Sequence, residues 1–594
     1  RNHYVKESSN QAMAYRAGVD PEDALIRSSN TYLYTDPDVE NALPVSVLPK
    51  GGIMYYTQNS VAQYDFRGTA QYQRTFNRDH LVSAMAGMEA SKIDRHAEAF
   101  DAWGIVYGEG NLPFTQWKLF KQQQEENANY YSDSFTYTRN MAYFGTASYG
   151  YKGRYILTGT LRYEGSNKMG RTHQSRWLPT WNVSGAWNAH EEEWFRNWSG
   201  NKYLSYAKLR LSYSLTAESG PTSLANAEAI YNSSKPWRVE TDAQEIGLSL
   251  DALANSELTY EKKHEFDLGV DLGFFGNRLN LVFDWYKRNN YDLIGQIYTQ
   301  GVGGMTRKYA NVASMASHGV EFTITTKNID TKDFQWTTDL TFAFAKNKIT
   351  DLVSRSRVID LVRGTGYPLQ GYPVRAIFSI PFVGLNEHGI PQIINENGEV
   401  TTSDINFQEF EKLGFLKYEG PVDPLYTGGF GNNLSWKGFH LNVFMTYSFG
   451  NVVRLDPSFS AAYSDLQAMP KEFKNRWVVP GDENYTTVPV IASRRQYKQD
   501  TYLSRAYNAY NYSTERIAKG DFIRLKEVAL TYDLPATFIK HLRLNTASVK
   551  FAATNLWLIY ADKKLNGQDP EFFNSGGVAS PNPKQFTFTL RFGL

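Results

Sequence analysis

The stretch EFDLGVDLGFFGNRLNLVFDWYK, residues 265–287, decides how this chain is to be read. Phe266, Leu268, Val270, Leu272 and Phe274 recur at every second position, with Asp267, Gly269, Asp271 and Gly273 between them. Successive strand side chains point to opposite faces, so this period predicts a strand with one apolar and one polar face. After a break at Gly276 and Asn277 the pattern resumes, with Leu279, Leu281, Phe283 and Trp285 set against Asn280, Asp284 and Tyr286. Two such runs joined by a short Gly/Asn turn predict an antiparallel hairpin.

The same alternation returns in RYILTGTLRYEG at 154–165, KLRLSYSL at 208–215, GVEFTITT at 319–326, WTTDLTFAFA at 336–345, FHLNVFMTYS at 439–448 and FTFTLRFGL at 586–594. Residues 148–153, 328–333 and 436–438 read as compact connections. The stretches near 94–136, 216–259, 288–315 and 451–520 read as long polar loops, the last with a short helix near 461–474. Short connections at one end of a sheet and long ones at the other are the asymmetry of an outer-membrane barrel. A water-soluble sandwich would show the same period, so number and length must choose. Roughly sixteen strand candidates of about 10 to 13 residues suit a tilted bilayer crossing better than sandwich strands of about 5 or 6. Tyr143, Tyr149, Tyr151, Tyr155 and Tyr163 gather near strand ends, as interfacial belts require. The expected fold is therefore all-β, a transmembrane antiparallel β-barrel.

Composition agrees. The 594 residues include 40 Tyr, 35 Phe and 13 Trp, and a net charge of +1 gives no whole-chain reason to expect nucleic acid as a partner. There is no cysteine, which removes disulfides, thiolate ligands and a cysteine nucleophile. No apolar run reaches the length of a spanning helix, and mean hydropathy is −0.49. A barrel escapes both tests because its lipid-facing residues occupy alternate positions. The opening RNHYVKESSN lacks the basic start and apolar core of a signal peptide.

Nothing in the sequence assembles a catalytic or cofactor site. HEEEW at 190–194 lacks the second histidine of a zinc-protease helix and reads as a turn. GVGG at 301–304 and TGGFGN at 427–432 lack a phosphate-loop lysine and read as turn or strand-crowding glycines. DPDVE at 36–40 and GQDPE at 567–571 lack calcium-loop spacing and read as hydrogen-bonded turns. No metal or cofactor is expected. Aromatic residues in the long loops, Trp103, Trp117, Tyr130, Tyr131 and Trp237, are the candidates for stacking on cargo, with loop-to-loop packing as the competing role. Asp267, Asp271, Asp339 and Arg162 fall on the polar face and read as solvated lumen residues or contacts to whatever fills the barrel.

Ordered blocks add a resemblance. YFGTASYGYKGRYILTGTLRYEGSNKMG at 143–170, WLPTWNVSGAWN at 177–188, LSYAKLRLSYSLTAESG at 204–220 and NVASMASHGVEFTI at 311–324 come first. YTGGFGNNLSWKGFHLNVFMTYSFG at 426–450, GDFIRLKEVALTYDLP at 520–535, TNLWLI at 554–559, GQDPE and the terminal PNPKQFTFTLRFGL follow. From about residue 50 onward the chain resembles the C-terminal, major part of the SusC/RagA family of TonB-dependent outer-membrane transporters of Bacteroidetes. The resemblance implies a 22-stranded barrel, an N-terminal plug reached by TonB, a SusD-like surface lipoprotein over the mouth, and an oligosaccharide or oligopeptide as cargo. Roughly sixteen strands fall short of 22, and an open edge in lipid is prohibitively costly. Residues 1–594 are thus expected to be the C-terminal portion of the barrel, with the plug and first strands on polypeptide outside this sequence. A structural or adhesive barrel without energised transport is the alternative.

Overall fold

A computed structural model describes residues 2–9, 33–46, 52–105, 131–168, 176–218, 229–234, 247–255, 258–301, 305–460, 471–493, 495, 498, 502–535, 537, 544–572 and 583–593. One antiparallel sheet of 16 strands dominates it. These are β1 (Asn2–Ser9), β2 (Gly52–Phe76), β3 (His80–Ile105), β4 (Tyr131–Tyr151), β5 (Tyr155–Ser166), β6 (Trp177–Asn188), β7 (Leu204–Glu218) and β8 (Glu261–Phe274). There follow β9 (Leu279–Tyr298), β10 (Arg307–Asp330), β11 (Phe334–Leu352), β12 (Tyr426–Trp436), β13 (Phe439–Phe449), β14 (Phe522–Asp533), β15 (Thr546–Ala561) and β16 (Gln585–Gly593). Every strand pairs with its predecessor and successor in this order, which leaves β1 and β16 as the two edges.

The opening hairpin forms as its pattern dictates. Val270 lies opposite Phe283 and Leu272 opposite Leu281 on one face, while Gly269 lies opposite Asp284 on the other. The connecting residues Phe275, Gly276 and Asn277 all take positive φ, which closes the turn within four residues. Tight connections at 77–79, 152–154, 275–278, 331–333 and 437–438 share one end of the sheet, together with the longer 189–203 and 534–545. The segments 106–130, 219–260, 353–425, 450–521 and 562–584 leave from the opposite end, together with the shorter 167–176 and 299–306. The length asymmetry identifies the first end as periplasmic and the second as extracellular. Among the described residues, no helix is long and apolar enough to cross a membrane.

Two expectations need correction. The stretch near 288–315 is largely strand, since β9 runs to Tyr298 and β10 starts at Arg307, and the stretch near 94–136 begins and ends in strand, since β3 runs to Ile105 and β4 starts at Tyr131, its residues 106–130 lying outside the described ones. Strand lengths consequently reach 25 and 26 residues in β2 and β3, well beyond the expected span. Residues 353–425, to which the alternation assigned no role, form one of the longest outer segments.

That segment and 450–521 fold together. Val358, Leu361, Phe378, Ile380 and Ile393 from the first are buried with Ala509 from the second. The helix Leu503–Asn511 buries Leu503, Ala506, Tyr507 and Tyr510, a stripe at helical spacing. It lies beyond the helix expected near 461–474, of which 461–470 fall outside the described residues and Lys471–Asn475 form a 3₁₀ turn. Arg454 ties the two segments, its guanidinium donating to the carbonyls of Phe378 (2.7 Å) and Ser513 (3.1 Å) and to Ser379 Oγ (2.8 Å). Burial pulls that guanidinium well below the ordinary arginine range, with Glu419 acting in the opposite direction.

Epitope tags inserted at 397–398 or 482–484, in outer turns of these segments, should be reached by antibody on intact cells, and tags at 332 or 437 only after permeabilisation. Labelling of the short turns alone on intact cells would invert the topology.

Candidate functional site

The two faces of the sheet differ throughout β2–β9. On the outer face of β3, Val82, Ala84, Ala86, Met88 and Ala90 form an apolar run. On β5 the same face carries Tyr155, Leu157, Leu161 and Tyr163, of which Leu157 and Leu161 are more than half exposed. Tyr149, Tyr151 and Tyr155 bound this run at the periplasmic end, and Tyr143 lies opposite Tyr163 at the other. An apolar band between aromatic girdles is the lipid-facing pattern of an outer-membrane strand.

The inner face is polar and internally paired. Thr146 bonds Thr160 and Ser148 bonds Thr158 across β4 and β5. Arg210 on β7 bridges Asp271 (2.8 Å) and Asp284 (2.9 Å) on β8 and β9. Gly269 makes this bridge fit, because a Cβ there would lie 2.6 Å from both the Arg210 guanidinium carbon and Asp284 Oδ1. Glu265 pairs with Lys263 and Arg288. Ser212 donates to Asp267 at 3.2 Å, and Thr325 to Asp339 at 2.9 Å.

A cavity of about 590 Å³ opens on this face along β2–β5. Arg162 sits in its wall between Glu89 (2.5 Å) and Glu164 (2.6 Å). Arg67 lies over the Phe144 ring at 5.2 Å, and Arg162 is 6.0 Å from the same ring. Asp65, Arg95 and Lys168 complete the charged lining. Burial lowers the Lys168 ammonium, and the Arg95 charge adds to that effect. Mixed charges around one aromatic ring suit a polar solute better than an apolar one, and the arrangement contains no nucleophile–base pair.

Arg162, Asp267, Asp271 and Asp339 thus lie on the inner face as the alternation required, each with a partner from a neighbouring strand. Of the aromatic candidates, only Tyr131 has its side chain among the described residues. Trp117, Tyr130 and Trp237 lie outside the described residues, and Trp103 lies in β3, not a loop, with its side chain likewise outside them. Tyr131 opens β4, half-exposed on the outer face. Arg67, Glu89 and Glu164 were missed, although the period of two that placed Arg162 could have found them.

The other motifs have structural roles. Glu192 of HEEEW accepts from the Tyr155 hydroxyl (2.6 Å), Trp187 Nε1 (3.2 Å) and Arg154 (3.0 Å). The Tyr155 bond, aided by Trp187 and Arg154 and opposed by burial, holds its carboxyl below the usual carboxylate range. Gly428 in TGGFGN lies under the Tyr447 ring, where a Cβ would come within 2.3 Å of the hydroxyl. Asp569 of GQDPE binds Arg524 at 2.6 Å and accepts from the Glu571 amide at 3.1 Å. Asp36 accepts from the Asp38 amide in its turn.

An antiparallel wall with an apolar, aromatic-bounded outer face and a charged inner face is the pattern of an outer-membrane β-barrel. Residues 2–556 match the family described as TonB dependent receptor-like, beta-barrel, and the chain belongs to that family, in its SusC/RagA group. It is 26% identical to TonB-dependent receptor P3 of Formosa agariphila over 89% of this chain and 51% of that protein. It is 23% identical to TonB-dependent receptor SusC of Bacteroides thetaiotaomicron, again over 89% and 51%. Among solved structures, the RagAB peptide transporter superposes with a TM-score of 0.72 at 22% identity, covering 91% of this chain and 56% of that one. The chain spans about half the length of the curated relatives it matches. Its place is the outer membrane, and its family is one of receptors and transporters, not catalysts.

Proposed function

We propose that this chain forms most of the wall of a TonB-dependent importer that carries an oligosaccharide or oligopeptide across the outer membrane. The observation that carries the reading is the charged, internally paired lumen, with its cavity of about 590 Å³, behind an apolar outer face. In this reading the sixteen strands belong to a 22-stranded barrel. Polypeptide outside this sequence supplies the plug and the remaining strands, which cover the edges at β1 and β16. A SusD-like lipoprotein closes the mouth, and TonB acts through the plug. No bond in the cargo is broken, so the wall's contribution is a polar path and not chemistry. Trp103, Trp117, Tyr130 and Trp237 are the aromatic positions proposed to meet cargo near the mouth. Tyr131, on the outer face, lies away from the path.

The test has two arms. Peptide sequencing of the complex isolated from outer membranes should recover polypeptide beyond residues 1–594 together with a lipoprotein partner. Uptake of labelled oligosaccharide or oligopeptide mixtures by intact cells should fall to background when TonB is inactivated. Uptake of neither, or uptake indifferent to TonB, overturns energised import in favour of a structural or adhesive barrel.

A further inference from the structure

The strands β3 and β4 continue beyond β5 at the extracellular end, beside β2 and the β1 residues that pair with it there. Ser166, the last residue of β5, pairs with Asn140, so residues 131–139 of β4 and their partners in β3 rise above β5. From His80 at the periplasmic turn to His96, β3 climbs about 53 Å at ~3.3 Å per residue. At a tilt of ~40° that is a height of about 40 Å, beyond the apolar band of a barrel, which is about 25 Å tall. The outer face records the passage into water. Above Met88 and Ala90 it carries Lys92, Asp94, His96 and Glu98, charges that lipid would not tolerate.

On this ledge Glu98 of β3 and Asp133 of β4 lie directly opposite one another in the ladder, on the same face. Like charges so placed repel. The neighbouring cations are engaged elsewhere, since Lys92 (3.3 Å) and Arg139 (2.6 Å) both bind Asp94. What stands between the two carboxylates is the imidazole of His96, with Nε2 2.5 Å from Asp133 Oδ1 and 3.4 Å from Glu98 Oε1. The Phe135 ring stacks on it at 4.3 Å with an interplanar angle of 2°, which fixes its plane and aims Nε2 at the carboxylates. One ligand atom from each of the three side chains falls within 4.8 Å of the others.

We propose that His96, Glu98 and Asp133 bind a divalent transition-metal ion, Zn²⁺ being the one their chemistry fits best. A neutral imidazole nitrogen and two carboxylate oxygens are ligands zinc accepts, and a fourth, tetrahedral position stays open to water or an incoming donor. The ion neutralises the opposed carboxylates and joins β3 to β4 where β5 no longer supports them. The site lies on the outer face, apart from the lumenal cavity.

The test uses the complex extracted from outer membranes without an oligohistidine tag, stripped with chelator and titrated with Zn²⁺ alone, then with Co²⁺ alone for its visible absorption. Wild type should bind one Zn²⁺ that His96→Gln, Glu98→Gln and Asp133→Asn each weaken by at least 10- to 100-fold, the scale of loss when zinc-site groups are altered. The Co²⁺ spectrum should lose its imidazole-dependent bands in His96→Gln. Heat-modifiable migration on gels confirms that each variant is folded, and Lys92→Gln, on the same ledge, should leave binding unchanged. Zinc binding unaltered by all three substitutions, or none at micromolar Zn²⁺, overturns the site, with the imidazole then acting only as a hydrogen-bonding bridge between the carboxylates.

Discussion

Phe283→Arg and Leu340→Arg are expected to reduce the folded, heat-modifiable protein in outer membranes severely, whereas Asp284→Asn and Asp339→Asn should retain most of it. Phe283 pairs with Phe322 in β10, which stacks on Phe342 of β11 at 4.9 Å, and Leu340 lies opposite Ile324 on the same face. An arginine on the lipid face near the bilayer centre costs about 2 to 4 kcal/mol, enough to stall assembly. Asp284 and Asp339 face the lumen, where Arg210 and Thr325 meet them beside water. Their amides keep the shape; Asp284→Asn loses the charge of one ion pair, and Asp339→Asn keeps an oxygen to accept from Thr325. Equal assembly defects in the two pairs would refute the assigned faces.

Asp569→Ala should be the most damaging single change at the extracellular rim. Arg524 enters the wall at the start of β14 and is almost fully buried, as is Asp569, with Glu571 adding a second contact at 2.8 Å. Removing Asp569 leaves the buried guanidinium with Glu571 alone, and the cost of breaking a buried pair, about 3 to 5 kcal/mol, is the upper bound of the loss because that contact remains. Replacing both, as Arg524→Met with Asp569→Leu, removes the buried charge and should recover much of the loss. The thermal transition of the purified complex and protease cleavage after residue 561 report the two outcomes. A single substitution with no measurable shift would show that the pair contributes nothing there.

The wall was legible in the sequence wherever lipid and lumen impose opposite chemistries on alternate residues. Phe266 to Phe274 and Leu279 to Trp285 could be assigned to faces before any coordinates, and their register follows. That signal fades where the strands leave the bilayer. From Lys92 to Phe100 both faces of β3 meet water, so a period of two carries no contrast, and a long strand reads as a loop. The inner ion pairs were only half legible. Position placed Asp271 and Arg162 on the lumen side, but their partners come from strands whose register only pairing reveals, as with Glu89 and Arg162, 73 residues apart. The outer body was the least legible, because Val358, Phe378 and Ile380 are buried against residues far along the chain and follow no single period.

The way that outer body is sewn together has a mechanical consequence. Its two segments arise from four consecutive strands, β11 to β14, and share a core in which Ile380 also forms a bridge with Ser513. Neither segment can swing outward alone without breaking the Arg454 bonds and exposing the apolar residues between them. The described residues of the two segments are therefore tied into one body carried by the ends of four antiparallel strands, and are expected to move together. Its backbone amides should exchange with solvent deuterium as one cooperative unit.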